Sequence, residues 1–492
     1  MSSSDRENGN ECFKLKQYDQ AKEWYSKAIE KDQLDYLALT NRSIVNYQLE
    51  SYESATDDAN KAIAINGQWY KAYVRKAKAL KQLQAYRDAI DCLELALSLL
   101  ENNNVVVDKT LIAMINTELT GVYTTLIDTR YKTITQGMDV YVEYIDKIKG
   151  KGVMARCSKK SNQELFNESP LVSSISYEYI GDDMYRHCSH CLATDLDVRL
   201  FGEKDKAVHS MIYGQSPPPR HMKKCDGEAC KEWFCSDKCC LDAWDKYHSI
   251  VCSPSTREHI DQFHSQCKKY KQTNPLVILK MFTMIVSNVI QHNMMIQDAL
   301  LPFTSFISNG QWQTAHDEEM LTLINLMLSE KCSTRQDLTT NLFTIERYRQ
   351  FNAIIQCNAS RIHPPSDVHL LVNDMVAKTP LSVDYIELPP GTKIPIDELG
   401  NYLERMDRLS INGSGLFPIT NSCNHNCDPN AVVTYSSNNN TVTMRTLRQI
   451  MPGDSIEISY IDEDQSRPQR QRQLLEKYLF RCGCRKCTIG RD

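Results

Sequence analysis

A period of 34 residues runs through residues 1–105 and limits how this part of the chain can fold. Small or apolar residues recur at that period in five columns, namely Gly9, Ser43 and Ala77; Leu15, Leu49 and Leu83; Tyr18, Tyr52 and Tyr86; Ala21, Ala55 and Ala89; and Ala28, Ala62 and Ala96. One such unit cannot bury its apolar face alone, so neighbouring units must stack. The period predicts three stacked helix pairs, and the helical pattern from Val105 to about Tyr131 predicts a capping helix.

The periodic segment resembles the tetratricopeptide repeat, in which small residues lie where two helices cross closely. Five polar residues fall on the predicted inner helices, namely Arg6, Asn10, Asn41, Lys71 and Arg75. They resemble the carboxylate clamp of chaperone-binding co-chaperones, which grips the carboxylates of a partner's last Asp through charge-assisted hydrogen bonds. Arg6 stands where that family usually has lysine. The resemblance implies binding of acidic chaperone C-termini, and a general protein-binding scaffold is the alternative.

Charge and hydropathy exclude several classes of protein. The net charge of −5 and the pI near 6.2 give no overall basic field, so no sequence-specific nucleic acid partner is expected. The short basic runs KKYK (268–271) and RPQRQR (467–472) are interpreted as solvated surface. The first ten residues lack an apolar signal core, and the most apolar stretch is broken by Lys280. We therefore expect a soluble intracellular protein with no membrane partner, in the cytoplasm and, as a second location, the nucleus.

Nineteen cysteines in such a chain indicate metal rather than disulfides. Between residues 188 and 252 the spacing is C-x2-C, a long insert, C-x4-C, four residues, C-x3-C, eight residues and H-x3-C. The eight candidate ligands are Cys188, Cys191, Cys225, Cys230, Cys235, Cys239, His248 and Cys252. A structural zinc takes four such ligands, so the pattern predicts two ions, with Cys240 as a possible substitute for Cys239.

The order of these ligands resembles the MYND zinc finger. The resemblance implies interleaved sites, and its two ligand sets are Cys188, Cys191, Cys235 and Cys239 on one ion, and Cys225, Cys230, His248 and Cys252 on the other. Two features depart from the usual pattern. Four residues rather than two separate the third and fourth ligands, and an insert of 33 residues that contains SPPP precedes them.

Three further thiols stand near the end of the chain, at Cys482, Cys484 and Cys487. A structural zinc needs a fourth ligand, and Cys427 in the stretch NSCNHNCDPN (421–430) is the best placed candidate. The twelve ligands therefore predict three zinc ions.

Four motifs follow one another between residue 149 and the end of the sequence. They are KGKGVMA (149–155), NHNCDPN (424–430), PGDSIEISYID (452–462), which is predicted as a turn and a strand ending on Tyr460, and the C-x-C-x2-C tail. In this order they resemble a SET domain with its post-SET zinc. With the MYND finger inserted after the first SET segment, the chain resembles the SET and MYND lysine methyltransferase family over roughly residues 140–492.

The resemblance implies a site for S-adenosylmethionine and a channel for the substrate lysine. The cofactor residues would be Lys149, Gly150, Lys151, Asn358, Asn424 and His425. Tyr460 would lie beside the transferred methyl group, with Tyr478 and Phe480 as walls of the channel and the cofactor site. In the family the asparagine-histidine stretch crosses the tyrosine strand. Asn426 stands where the family usually has serine, so cofactor geometry or the number of methyl groups added could differ.

Together these features predict a multidomain protein with an all-α repeat array and a mostly-β SET domain that carries a MYND finger, a helical insert and a post-SET zinc segment. The predicted limits are 1–135 for the repeats and cap, 136–187 for the first SET segment, 188–252 for the MYND finger, 253–345 for the helical insert, 346–463 for the core SET domain and 464–492 for the post-SET segment. The function that the resemblance implies is methyl transfer from S-adenosylmethionine to protein lysines, histone or not. The alternative is an inactive adaptor, suggested by Asn426 and the irregular zinc spacing.

Overall fold

The chain forms two compact units in a computed structural model that describes residues 2–102, 109–182, 185–195, 203–213, 222–228, 230–306, 308, 312–379, 383–388, 392–407 and 410–489. The first unit comprises Met1–Gln136 and Tyr141–Gly152, and the second comprises Gly137–Val140 and Val153–Asp492. None of the helices within those described ranges is long and apolar enough to cross a bilayer.

The first unit is an array of antiparallel helix pairs, as the period predicts. Its helices are α1 (Ser2–Lys14), α2 (Tyr18–Lys31), α3 (Tyr36–Gln48), α4 (Tyr52–Ile65), α5 (Tyr70–Gln82), α6 (Tyr86–Asn102) and α7 (Lys109–Tyr131). Each turn inside a pair contains a residue in the left-handed region, at Lys16, Glu50 and Gln84, again 34 residues apart. The predicted cap is α7, and its predicted start at Val105 lies outside the described residues.

Small residues set how closely the helices of a pair approach. The repeated alanines at positions such as Ala21 and Ala55 are fully buried. A Cβ atom at Gly9 would lie 2.7 Å from the Tyr25 ring, so the first crossing leaves no space for a side chain. Close packing of the two helices therefore explains why Gly9, Ser43 and Ala77, at equivalent positions of the repeats, are all small.

Two strands follow the repeats, namely β1 (Val140–Asp146) and β2 (Gly150–Ala155). Gly150 has a φ of +66°, which an L side chain rarely adopts, so the turn in KGKG depends on this glycine. In the first unit the Tyr144 ring stacks on the Tyr123 ring of α7, with the centroids 4.7 Å apart.

The second unit is built from small sheets. Its strands are β3 (Glu164–Glu168), β4 (Val172–Ile175), β5 (Lys223–Lys224), β6 (Trp233–Phe234), β7 (Ser360–Ile362), β8 (Tyr385–Leu388), β9 (Thr392–Pro395), β10 (Gly413–Leu416), β11 (Asn424–His425), β12 (Ala431–Thr434), β13 (Val442–Thr446) and β14 (Ser455–Ile458). Two sheets have the orders β4-β10-β7 and β12-β13-β3, and both are antiparallel. Strand β14 pairs antiparallel with β2 and parallel with β11.

The second unit also contains helices. They are α8 (Glu203–Tyr213), α9 (Asp237–Ala243), α10 (Ser249–Val251), α11 (Arg257–Tyr270), α12 (Asn274–Ile290), α13 (Ile296–Thr304), α14 (Asp317–Cys332), α15 (Gln336–Asn341), α16 (Ile345–Asn358), α17 (Asp367–Lys378), α18 (Ile396–Asp407), α19 (Arg467–Tyr478) and α20 (Arg485–Thr488). Many buried side chains of the apolar helix α12 belong to a hydrophobic core cluster that also includes residues of α11, α13, α14 and α16. Lys280 of α12 directs Nζ to the Ser189 carbonyl oxygen at 2.8 Å.

The predicted fold class is confirmed, with helices first and small sheets after them. One local expectation is wrong, because strand β14 ends at Ile458 and not at Tyr460. The finer domain limits stay predictions.

A buried carboxylate holds the chain just before the asparagine-histidine stretch. The side chain of Glu168, at the end of β3, accepts hydrogen bonds from the backbone N–H groups of Ile419 and Thr420, at 2.7 and 2.8 Å. It also accepts from the Thr420 hydroxyl at 2.7 Å. All three residues are buried, so water cannot replace these bonds.

We predict that Glu168→Ala lowers the free energy of unfolding by about 3 kcal/mol, because it leaves three buried donors without an acceptor. The exposed Glu164 on the same strand provides the matched control, and Glu164→Ala should change stability by less than about 0.5 kcal/mol. Chemical denaturation of the full chain measures both variants. Equal stability of the two variants would show that the Glu168 contacts are not required.

Candidate active site and metal centres

Three groups of cysteine and histidine side chains converge in the second unit. In each group the four donor atoms lie within 4.8 Å of one another. The groups are Cys188, Cys191, Cys235 and Cys239; Cys225, Cys230, His248 and Cys252; and Cys427, Cys482, Cys484 and Cys487. These are the predicted ligand sets, with Cys239 and not Cys240 in the first. Four sulfur or imidazole donors at this separation fit a tetrahedral structural zinc.

The C-x4-C spacing has a structural explanation. The loop from Cys225 to Cys230 turns at Gly227, whose carbonyl accepts from the Cys230 N–H at 3.0 Å. A Cβ atom at Gly227 would lie 2.5 Å from the Cys252 sulfur. Gly227 therefore passes so close to the ligand group that no side chain would fit there.

The third group draws the asparagine-histidine stretch to the C-terminal tail. The Cys427 sulfur lies 3.9 Å from the Cys482 sulfur and 3.6 Å from the Cys487 sulfur. Burial raises the pKa of the Cys427 thiol, and a hydrogen bond with Cys487 adds to this effect. Four thiols so placed become thiolates when a metal ion compensates their charge, which fits the donor chemistry of zinc.

Four aromatic rings gather beside this group. The ring centroid of Tyr460 lies 5.3 Å from His425, 4.9 Å from Tyr478 and 6.5 Å from Phe480. His425 and Phe480 are 6.0 Å apart. The structure thus brings together four of the residues that the family resemblance assigns to the cofactor and the lysine channel.

The Tyr460 hydroxyl donates to the Cys423 carbonyl oxygen at 2.6 Å. Burial raises the pKa of Tyr460, with smaller contributions from Cys423 and Tyr478, so the side chain remains a neutral phenol at physiological pH. Because the hydroxyl proton already bonds to the Cys423 carbonyl, the Tyr460 oxygen can only accept further hydrogen bonds. The Tyr478 hydroxyl points to the Tyr460 carbonyl oxygen at 3.4 Å.

His425 connects Tyr460 to the third cysteine group. Burial, helped by Arg470, lowers the pKa of His425 to about 4, so the ring is neutral at pH 7. Its Nδ1 accepts from the Tyr460 backbone N–H at 3.0 Å, which places the ring proton on Nε2. Nε2 lies 3.1 Å from the Cys427 sulfur and donates to it. One imidazole therefore joins the catalytic candidate to a metal-ligand candidate.

The crossing of the asparagine-histidine stretch with β14 is held by polar side chains. The Asn426 amide donates to Glu457 at 2.6 Å, and its carbonyl accepts from the Asp428 N–H at 2.9 Å. Asn430 donates to the Ser455 carbonyl and accepts from the Glu457 N–H, at 2.7 and 2.8 Å. Asn426, which departs from the family pattern, thus donates one of the side-chain hydrogen bonds that hold the crossing.

The remaining predicted cofactor residues lie in three places. Asn424 is in β11 opposite Glu457, and the Asn358 amide donates to the Ile354 carbonyl at 2.7 Å. Lys149, Gly150 and Lys151 belong to the first unit. There the buried Lys151 donates to the Tyr131 hydroxyl at 2.5 Å, so its ammonium is already held by α7.

The residue types of the second unit fit S-adenosylmethionine. The rings of His425, Tyr460 and Phe480 present aromatic faces that favour a sulfonium cation. A neutral imidazole and a neutral phenol add no positive charge that would repel it.

Sequence reasoning missed Arg470, and the interpretation of RPQRQR as solvated surface is wrong for this residue. Arg470 is 1% exposed, and its Nη2 lies 3.9 Å from the Cys487 sulfur. The signal lay in the sequence, because Arg470 and the buried Leu474 are four residues apart on one face of α19. A group of four thiolates nearby also needs a cation.

The clamp candidates of the first unit differ in their partners. Arg6 forms an ion pair with the buried Asp35 at 2.6 Å. Asn41 donates to the Asn10 side-chain oxygen at 2.9 Å, and the Tyr25 hydroxyl donates to the same oxygen at 2.7 Å.

Two clamp candidates lie on α5. Lys71 is exposed, with its ammonium 5.2 Å from the Trp69 ring centroid. Burial lowers the pKa of Arg75, and the nearby Tyr70 partly opposes this effect. Arg75 therefore carries a half-buried charge that a carboxylate would compensate.

Comparison with known proteins agrees with these features. The SET domain family model matches residues 142–461, and a tetratricopeptide repeat model matches residues 9–32 and 70–103. The protein-lysine N-trimethyltransferase SMYD5 of Danio rerio is 29% identical over 385 residues, which are 72% of this chain and 88% of that protein. The N-lysine methyltransferase SMYD2 of Mus musculus is 31% identical over 123 residues, covering 24% of this chain and 28% of that protein.

Among solved structures, the first repeat domain of Spaghetti (RPAP3) bound to the HSP90 peptide SRMEEVD is similar to part of this chain. It is 30% identical, with a TM-score of 0.23, and the match covers 25% of this chain and 92% of that one.

The SET model spans well over half of the chain, and the sequence relatives are lysine methyltransferases. The chain therefore belongs to the SET domain family and is a protein-lysine methyltransferase of its SET and MYND branch.

Proposed function

We propose that this methyltransferase aligns a substrate lysine with S-adenosylmethionine at Tyr460. The observation that carries the proposal is the group of His425, Tyr460, Tyr478 and Phe480, held between β14 and the third cysteine group. S-adenosylmethionine, when bound, supplies an electrophilic methyl group on a sulfonium. In the second unit Asn358, Asn424, His425 and Phe480 would hold it. The roles of Lys149, Gly150 and Lys151 stay predictions from the family resemblance.

Tyr460 orients the incoming amine and does not deprotonate it. Its hydroxyl proton is donated to Cys423, and its raised pKa keeps the phenol neutral. The oxygen can therefore accept a hydrogen bond from an amine N–H, which fixes the direction of the nitrogen lone pair. Such alignment turns an encounter into a near-attack geometry, the main requirement for an in-line displacement.

The aromatic surroundings favour the neutral form of the substrate lysine. A free lysine has a pKa near 10.4, and burial between apolar rings lowers it. Tyr478 and Phe480 flank Tyr460 at 4.9 and 6.5 Å between ring centroids. The amine would thus lose its proton to solvent before it is enclosed, without a dedicated base.

The three cysteine groups would hold three structural zinc ions. Each has four donors within 4.8 Å and so has no open position for catalysis. The third group is the one that bears on the reaction, because Cys427 lies two residues from His425 and the tail continues from Phe480.

The features that suggested an inactive adaptor have structural explanations. Asn426 is bonded to Glu457 and Asp428, and the irregular zinc spacing forms a turn at Gly227. Neither feature removes an aromatic residue from the site. Calorimetry with S-adenosylmethionine separates the two functions, because an adaptor should give no binding heat.

For the repeats we propose recognition of an acidic C-terminus, such as the EEVD tail of cytosolic chaperones. Lys71 and Arg75 would provide the charges, and Asn10 and Asn41 would provide amide donors. Arg6 is the weakest member, because its ion pair with Asp35 would have to exchange for a bond to the ligand.

We predict three zinc ions per chain, measured by elemental analysis of folded protein. Chelation that removes all three should abolish methyl transfer, because the third group positions the rings around Tyr460. Two or fewer ions in folded protein would refute the assignment of the ligand groups.

We predict that Tyr460→Phe reduces the rate of methyl transfer at least 100-fold, because the oxygen that orients the amine is lost. Stability should fall by only about 1 kcal/mol. Tyr435→Phe is the matched control, since that hydroxyl also donates to a backbone carbonyl, that of Arg361 at 2.8 Å. Full turnover by Tyr460→Phe in a peptide assay would reject the role of Tyr460.

We predict that amidating the terminus of an EEVD peptide weakens its binding about tenfold or more, because one charge-assisted contact is lost. Arg75→Ala should weaken the free-acid peptide similarly, whereas Lys61→Ala on the exposed face of α4 should not. Fluorescence polarisation measures all three. Equal affinity for acid and amide peptides would leave only a general scaffold.

A further inference from the structure

Arg470 is the largest fully buried side chain among the described residues. Among the arginines and lysines that the structure describes, Arg470 and Lys151 alone are buried. Lys151 donates a hydrogen bond to the Tyr131 hydroxyl. A buried guanidinium is costly unless an opposite charge and hydrogen bonds compensate it. The position of Arg470 therefore requires a partner.

The atoms around the guanidinium identify that partner. One nitrogen, Nη1, donates to the Gln465 carbonyl oxygen, and Nη2 points to the Cys487 sulfur at 3.9 Å. Nε is buried and has no hydrogen-bond partner in the part of the chain that the structure describes.

The charge of the third cysteine group matches this arginine. A zinc ion bound by four thiolates carries two net negative charges, and this group consists of four cysteines. Cys427 and Cys487 are each 1% exposed, so solvent does little to screen that charge. A guanidinium in the same buried space offsets part of it.

The helix that carries Arg470 also carries an active-site residue. On α19 the Gln471 amide donates to the Cys482 carbonyl at 2.8 Å and accepts from the Cys482 N–H at 3.1 Å. Tyr478 is the last residue of α19, and Leu479 follows with a left-handed φ of 59°. A shift of the helix relative to the cysteines would therefore move Tyr478.

We propose that Arg470 is the buried counter-cation of the zinc held by Cys427, Cys482, Cys484 and Cys487, and that it acts as a positioning residue for Tyr478. The inference rests on the proposed third zinc. It assigns to Arg470 the function of retaining that ion and of fixing α19 beside it through charge-assisted N–H to sulfur contacts.

The test measures zinc content after dialysis of the full chain against a series of zinc buffers of decreasing free zinc. Arg470→Met removes the charge at similar length, and Arg470→Lys retains it without the planar fork. Arg472→Met, at an exposed position of α19, is the matched control. We expect one of three ions to be lost from Arg470→Met at roughly 10- to 100-fold higher free zinc than from the wild type.

Arg470→Lys should recover part of this retention, and Arg472→Met should behave as the wild type. In saturating zinc, Arg470→Met should still transfer methyl groups more slowly, with Arg470→Lys between the two. Equal retention of three ions by the wild type and Arg470→Met would overturn the inference. A wild-type protein that never holds three ions would instead refute the proposed third zinc. If Arg470→Met does not fold, the comparison of Arg470→Lys with Arg472→Lys decides in the same way.

Discussion

The imidazole of His425 joins the two parts of the proposed catalytic centre. It accepts from the Tyr460 backbone at Nδ1 and donates to the Cys427 sulfur at Nε2, at 3.0 and 3.1 Å. This arrangement needs a neutral ring, and burial provides it by lowering the pKa to about 4. The position of the tyrosine therefore depends on a metal-ligand candidate two residues from the histidine. These two bonds of His425 explain why a histidine and a cysteine lie so close together in the stretch 421–430.

The surrounding contacts restrict the same segment from both sides. Glu168 holds the residues before it through Thr420, and Asn430 bonds to β14 after it. The tail returns to the segment at Cys482 and Cys487. A short segment that contains the two-residue strand β11 is thereby fixed at its start, middle and end, so it can present groups accurately without a long helix or strand.

The sequence was sufficient to predict the repeats, because packing of small residues at a fixed period leaves a clear pattern. It was also sufficient to predict the ligand groups, because a structural zinc takes four ligands and these are mostly cysteine and histidine. It could not identify contacts between residues far apart in sequence, such as Glu168 with Thr420. The prediction that Arg470 is solvated was wrong, because a short basic run usually lies on the surface and the sequence does not show that thiols pack against this arginine. Lys151 shows the same limit, since no local pattern indicates its bond to Tyr131.

The central claim is that the third cysteine group holds the tyrosines in their reactive arrangement. The most direct measurement is single-turnover methyl transfer by Cys484→Ser, with the zinc content determined on the same sample. Cys157→Ser, which lies outside the three groups, provides the control. The account predicts that Cys484→Ser loses one zinc ion and about 100-fold or more in transfer rate, because small displacements of aligned groups have such effects. Unchanged transfer in a protein that has lost that ion would contradict it.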